Sequence, residues 1–475
     1  MPVSIFSLAL GFTIRLHCAK NKEIENLGMK TVLIIAGSDP GAGAGIQQDL
    51  RVATLLGAYG LTVITALTVQ NTMGVQEVQP VGPALVAAQL ETVIADIRIN
   101  AVKVGMLATA ANVRAVAAGL RRVEVPLVVV DPVLAASDGT LLLEEAGVKA
   151  FKEEILPLTT LLTPNLAEAG RLTDREVRST IDMETAAREL GQMGPQYVLV
   201  KGGHLAGPPV DVLWDGRNCY QMMGERVSGV HTHGTGCALA AALATRLAQG
   251  RTLPEAVNEA RELLREAIYW GLPLGQGRGP VNPAAPFLRE QDRYPVLTSL
   301  SAAAARLQQG GIEELIPEVQ SNLGYATLFP RGSQDVAAFP GRLRRGPQGL
   351  IIPQEPAFGA SQHMAAIILT AGRVLPFLRA AMNIRFLPEV EKLAPRLHLR
   401  AASFDRSQAP PEVKAREWDT VAWGVASLLQ PGEPPPDLIC DRGEWGKEPM
   451  IRILGADPMN VVEKVLAINQ ALLVK

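Results

Sequence analysis

Aromatic side chains make up only 4% of the 475 residues, too few for a surface that stacks nucleic-acid bases. An excess of one charge is missing as well. Forty-five Lys and Arg face 47 Asp and Glu, a net of −2, so there is no basic footprint for a polyanion. The four cysteines, Cys18, Cys219, Cys237 and Cys440, are scattered, with neither metal-ligand spacing nor a disulfide framework. That usage suits a reducing compartment, and a cytoplasmic setting is expected. No run of 18 uncharged apolar residues occurs, so no membrane span is expected, and no repeat at solenoid periods is visible. Small molecules, rather than nucleic acid or membrane, are the expected partners.

What is present points to layered α/β structure. A hydrophobic content of 48% is ample for sizeable cores, and the length predicts roughly two to four domains. The first 28 residues are apolar at 4–10, but no basic segment precedes that run, and the stretch around Cys18 lacks the small residues of a cleavage site. They are expected to be an extension, with the first domain opening at Met29. From there, short Val/Ile-rich runs (32–36, 62–68, 101–105, 127–130, 160–163 and 197–201) alternate with Ala/Leu/Glu helical stretches. Continuous apolar runs of that length fit buried parallel strands with helices on both faces. Ligands of such sheets sit at the carboxyl ends of the strands. Polar punctuation falls there six times: Gly37-Ser38-Asp39, Gln70-Asn71, Met106, Asp131-Pro132, Pro164-Asn165 and Gly202-Gly203-His204.

The stretch Val230-His231-Thr232-His233-Gly234-Thr235-Gly236-Cys237 runs into Ala238-Leu239-Ala240-Ala241-Ala242. A glycine turn feeding a helix start presents unpaired amides and the positive end of the helix dipole, an anion site. Cys237 stands at its mouth, where a thiolate would be favoured and its pKa lowered; a small buried cysteine in a packing turn is the plainer alternative. The glycine-rich 36–49 stretch is neither a Walker loop nor a dinucleotide fingerprint. In Thr163-Pro164-Asn165-Leu166-Ala167-Glu168, Asn165 and Glu168 lie three apart on one helix face. Aimed at a cleft they suit Mg²⁺, which takes few protein ligands beside phosphate and water; an ordinary capped helix start is the alternative.

Together these motifs, with Val69-Gln70-Asn71-Thr72, Lys103-Val104-Gly105-Met106-Leu107, Asp131-Pro132-Val133 and Val200-Lys201-Gly202-Gly203-His204, resemble the hydroxymethylpyrimidine/phosphomethylpyrimidine kinases of thiamine biosynthesis, of the ribokinase-like superfamily. The likeness covers about 29–285. It implies a mostly parallel central sheet with helices on both faces, ATP as co-substrate and Mg²⁺. It also implies two successive phosphorylations, alcohol to monophosphate to diphosphate. Carried over, it places Gln70 on the pyrimidine ring nitrogen and amino group, with Gly37, Asp49 and Met106 lining the same pocket. Gly234, Thr235 and Gly236 become the anion hole, and Cys237 the base. Glu168 and Asp131 would organise Mg²⁺, while Asn165 and Lys201 face ATP. Leu134-Ala135-Ala136-Ser137-Asp138-Gly139 departs from the family's usual Lys or Thr followed by Ser-Gly. Some close relatives of such enzymes act mainly on pyridoxal; Gln70 with Met106 favours pyrimidine.

Composition shifts to Gly, Pro and Arg near 275–291, and a linking segment is expected over 286–310. A second, smaller α/β domain is expected over 311–475. Phe339-Pro340-Gly341-Arg342-Leu343-Arg344-Arg345 sets cations beside a turn, suited to a diphosphate. His363 falls in the first turns of a helix, and Asp441-Arg442-Gly443-Glu444-Trp445-Gly446-Lys447 mixes charge and glycine after a strand. A solvated basic turn, a satisfied histidine and a charged surface loop are the plain alternatives. With Ala381-Met382-Asn383-Ile384-Arg385-Phe386, the clusters resemble the ThiN-type thiamine-phosphate synthases. That likeness implies condensation of the pyrimidine diphosphate with thiazole phosphate, releasing pyrophosphate. Arg342 and His363 match catalytic positions; Arg385, Asp441 and Lys447 are substrate-binding candidates. A bifunctional enzyme, expected as a homo-oligomer, is the favoured reading. A pyrimidine or pyridoxal kinase joined to a non-catalytic ligand-sensing domain is the alternative.

Overall fold

The computed structural model describes residues 28–122, 127–136, 138–227, 229–413 and 417–474. The extension expected at the N-terminus therefore lies, but for Gly28, outside the described residues. The chain divides into two compact units at Ala285/Pro286.

The first unit is built on a sheet that, among the described residues, has nine strands. These are β1 (Lys30–Ser38), β2 (Ala58–Asn71), β3 (Gly74–Pro80), β4 (Ala101–Val104), β5 (Val128–Val130), β6 (Leu161–Leu162), β7 (Tyr197–Val200), β8 (Val210–Trp214) and β9 (Cys219–Met223), in the order β3-β2-β1-β4-β5-β6-β7-β8-β9. The six strands from β2 to β7 run parallel; β3, β8 and β9 add antiparallel edges. Val32 to Ile35, Val102, Val104 and Val128 to Val130 are all buried, as strands covered on both faces require.

Four helices position the site: α1 (Gly45–Leu55), α2 (Leu166–Thr173), α3 (Thr235–Ala248) and α4 (Leu253–Tyr269). Helix α3 is buried from Ala238 through Thr245 without a polar stripe. Its alanines let it lie between α1, α4 and the sheet at β4. Helix α4, amphipathic and closed at its start by a Thr252–Glu255 capping box, covers it.

The second unit is a mixed sheet with helices. Its strands are β10 (Leu323–Ala326), β11 (Val336–Ala338), β12 (Arg344–Gly346), β13 (Gly349–Ile351), β14 (Ala357–Phe358), β15 (Ala380–Arg385), β16 (Ala401–Phe404), β17 (Leu438–Asp441) and β18 (Met450–Gly455). Apart from the small β12–β13 ribbon, the order is β14-β11-β10-β15-β18-β17-β16. Among the described residues only the β16–β17 pair of this sheet is parallel. Helices α5 (Arg293–Gln308), α6 (Gln362–Val374) and α7 (Pro458–Leu473) pack on it.

The expected linker over 286–310 is corrected here. Val296, Leu300, Ala303, Ala304 and Leu307 of α5 are buried in the same core as Leu323, Met382 and Val465. A helix that supplies one face of a core belongs to that unit, and its Ala/Leu periodicity is that buried face.

Candidate functional site

At the carboxyl ends of the parallel strands the first unit assembles its polar residues. Gly234 takes φ +80°, and a Cβ on it would stand 1.8 Å from the carbonyl oxygen of Gly43. Only glycine fits that approach, and it brings the glycine-rich 39–45 loop against the start of α3. A Cβ on Gly236 would lie 3.0 Å from Asp131 Oδ2 and 3.3 Å from Lys201 Nζ. The space that glycine leaves is thus bordered by the Lys201–Asp131 ion pair, closed at 2.7 Å.

Beside it lies a second pair, Lys103 Nζ to Asp49 Oδ2 at 2.7 Å, with both side chains completely buried. Burial pushes the Asp49 carboxyl up to about 6, against the pull of Lys103. Asp49 Oδ1 is buried without a hydrogen-bond partner, a position a ligand donor would relieve. Lys103 went unremarked as a functional residue in the sequence because it sits inside an apolar strand.

Cys237 is the third residue of α3, between these two pairs. The expected lowering of its pKa is corrected: enclosure by protein pushes the thiol up to about 12, and Asp49 and Asp131 add to the rise while Lys103 opposes it. A helix N-terminus favours a thiolate, but here desolvation and two carboxylates outweigh it. The resting group is a neutral thiol.

Asn165 and Glu168 meet as a capping box at the start of α2. Asn165 N–H donates to Glu168 Oε2 at 2.7 Å, and Glu168 N–H to Asn165 Oδ1 at 2.9 Å. The plainer alternative accounts for these contacts. Glu168 nevertheless stays in the cluster: burial pushes it up to about 7, with Lys201 pulling down and Asp131 pushing further up. Met106 lies on the floor with Ala66 and Ala108, and a Cβ on Gly37 would meet its sulfur at 2.9 Å. Gln70, half-buried at the end of β2, lies close enough to Asp39 to favour its ionised form.

In the second unit the register aligns Arg385, Met450 and Asp441 across β15, β18 and β17. Arg385 is exposed there and Lys447 half-buried in the adjoining loop. Asp441, expected to bind substrate, has arginine partners inside the protein. Completely buried, it accepts from Arg406 Nε (2.9 Å) and Nη2 (2.7 Å) and from Arg452 Nη1 (2.8 Å). Arg342, exposed at φ +58°, donates to the carbonyl of Val319. His363 is the second residue of α6, after its Ser361 cap. Arg342 follows the C-terminal end of β11 and His363 that of β14. Those strands are antiparallel, with Ala338 opposite Ala357.

A mostly parallel sheet with glycine turns, buried lysine–carboxylate pairs and a helix start at its carboxyl edge defines a small-molecule kinase of the ribokinase-like class. Residues 39–282 match the family model of phosphomethylpyrimidine kinase, and 299–467 that of thiamine-phosphate synthase ThiN. The chain belongs to the phosphomethylpyrimidine kinase family. It is 48% identical over 253 residues to the thiamine biosynthesis bifunctional protein ThiED of Geobacter sulfurreducens, covering 53% of this chain and 52% of that one. The match thus spans about half the length of that relative. Identity is 47% over 256 residues to the hydroxymethylpyrimidine/phosphomethylpyrimidine kinase of Mycobacterium tuberculosis, covering 53% of this chain and 93% of the relative. Among solved structures, an ADP complex of Bacillus subtilis pyridoxal kinase aligns with a TM-score of 0.51 and 34% identity, over 55% of this chain and 99% of the other.

Proposed function

We propose that the chain phosphorylates 4-amino-5-hydroxymethyl-2-methylpyrimidine and then its monophosphate, and that the second unit couples the diphosphate to thiazole phosphate. The observation that carries the kinase half is Cys237 at a glycine-led helix start, between the Lys103–Asp49 and Lys201–Asp131 pairs.

Phosphoryl transfer needs placement and charge stabilisation more than covalent help. Gly234, Thr235 and Gly236 offer amides to the moving phosphoryl group, and Lys201 supplies a cation beside them. Asn165 borders the ATP phosphates at the start of α2. Gln70 reads the ring nitrogen and amino group with one amide, while Gly37 and Met106 shape the pocket floor. Asp49 Oδ1 accepts from the substrate. Cys237 faces the hydroxymethyl oxygen; its thiol must first release its own proton to solvent, and the thiolate so formed takes the alcohol proton as the new P–O bond forms and ADP departs.

Mg²⁺ accompanies ATP in this reading. Among the described residues no group of three or more His, Cys, Asp or Glu gathers into a protein-only metal cage. The donors present fit a phosphate-bound ion instead. Asp131 Oδ2 borders the space beside Gly236 that a Cβ would fill, and Glu168 sits within the same charge cluster. When bound, the ion neutralises phosphate charge.

For the second unit, Arg342 and Arg385 offer cations to the leaving pyrophosphate, Lys447 a further one, and His363 a proton. Asp441 acts there only by fixing Arg406 and Arg452. We place the protein in the cytoplasm as a homo-oligomer acting on small molecules.

Incubating the purified chain with hydroxymethylpyrimidine, MgATP and thiazole phosphate tests both halves. Thiamine phosphate is expected. Accumulation of pyrimidine diphosphate alone leaves a kinase with a non-catalytic neighbour, and pyridoxal phosphorylation in place of pyrimidine reassigns the substrate.

A further inference from the structure

Phosphate chemistry gives no task to His233, the residue just before Gly234. Its Nε2 donates to Asp39 Oδ2 at 3.0 Å, across 194 positions of sequence. Asp39 is buried and also accepts from the N–H groups of Gly41 (2.7 Å), Gly43 (3.1 Å) and Ala44 (2.8 Å). The glycine-rich loop is therefore wrapped around a carboxylate of its own. An amide concavity that would otherwise invite an external anion is already filled.

The same carboxylate reaches both sides of the site. Gln70 lies close enough to favour its ionised form, and the loop Asp39 organises ends in Gly45, whose backbone N–H faces Cys237 closely enough to favour its thiolate. On the other side His233 is fixed through its backbone, N–H to Gly279 (3.1 Å) and carbonyl from Val281 (3.0 Å). The Gly43 carbonyl lies directly against Gly234.

We propose that Asp39 and His233 are a positioning pair that holds the glycine-rich loop in register with the start of α3, so that Cys237 and Gln70 face the alcohol while the 234–236 amides face the phosphate. Neither residue touches the reacting atoms. The pair deepens the kinase reading above and rests on it. An ionised acceptor and an imidazole donor suit the task because a charge-assisted bond is stronger and more directional than a neutral one. A shift near 1 Å at the reacting centre is enough to slow transfer markedly.

The test compares His233→Leu with His233→Gln in the full chain, by steady-state phosphorylation of hydroxymethylpyrimidine with MgATP and by thermal melting. His233→Leu is expected to lower kcat about ten- to a hundredfold, the worth of one such bond. KM for ATP is expected to change by less than about threefold, since that loss falls on transfer rather than uniform binding. His233→Gln, whose amide nitrogen can donate from nearly the same place, is expected to recover most of kcat. Where leucine does not fold, His233→Asn, polar but too short for Asp39, reads out the same loss. A leucine variant with wild-type kcat overturns the proposal. So does a folded glutamine variant as slow as leucine, or a loss confined to KM. A wild-type chain that phosphorylates no pyrimidine overturns the kinase reading and the pair with it; an active wild type with an indifferent leucine variant overturns the pair alone.

Discussion

Replacing Lys103 by methionine removes the ammonium that pairs with Asp49 where both side chains are completely buried. Breaking such a pair from one side costs about 3–5 kcal/mol, because the remaining charge is left in a poorly solvated place. At about 2–4 °C per kcal/mol for a unit of this size, the first unit should melt roughly 6–20 °C lower. The loss should depend on pH in a definite direction. Burial already raises the Asp49 carboxyl from its usual 3.8 to about 6 despite Lys103; without the ammonium it rises further. A folded-state pKa above the unfolded one means the native protein holds a proton that the unfolded chain has released, so stability falls as pH rises through that window. Lys103→Met should thus be destabilised more at pH 8 than at pH 5. Lys103→Met/Asp49→Leu, which removes both charges, should regain most of the loss. Calorimetry that resolves the two units' transitions is the assay. A single variant melting within about 2 °C of wild type, under 1 kcal/mol on that scale, would refute the reasoning, as would a double variant no better than the single.

Four further outcomes are expected. Glu168, raised by burial from 4.5 to about 7, makes stability fall as pH climbs across that range, and Glu168→Gln should flatten the slope in melts from pH 4 to 8; an unchanged slope contradicts this. Gly234→Ala forces a side chain to φ +80° and against the Gly43 carbonyl, at a cost of about 1–3 kcal/mol for the backbone alone, so kinase activity should be lost while coupling of supplied diphosphate survives. In a Cys18→Ser/Cys219→Ser background, alkylation of Cys237 by iodoacetamide should keep accelerating beyond pH 9, as a thiol pushed up to about 12 requires; a plateau below pH 8 would show a resting thiolate. Asp441→Asn leaves Arg406 and Arg452 without their shared carboxylate and should destabilise the second unit by about 3 kcal/mol or more, read as a lower melting transition.

Strand-and-helix alternation in the first unit was legible because each parallel strand is a short apolar run ending in a polar residue, and Ser38, Asn71 and Lys201 mark those ends in the structure too. The capping box was legible as a spacing, Asn165 three before Glu168, but not the fact that its two side chains answer each other. Burial and pairing were hidden. Lys103 and Asp49 are 54 positions apart, and the Asp441 cluster draws on Arg406 and Arg452 from separate elements, so charge alone suggested an exposed loop. The helix at 293–308 read as a linker because an Ala/Leu face is silent about what it covers. Cys237 was misjudged by one effect taken singly: the helix terminus is local and visible in sequence, while the enclosing protein and two carboxylates come from distant segments, Asp49 on α1 and Asp131 just after β5.

The most direct measurement is a crystal structure with hydroxymethylpyrimidine and a non-hydrolysable ATP analogue. The γ-phosphate is expected against the amides of Gly234, Thr235 and Gly236, with the hydroxymethyl oxygen between it and the Cys237 sulfur and the ring on Gln70. A triphosphate bound away from the start of α3, or an alcohol turned from Cys237 toward solvent, would contradict the kinase site described above.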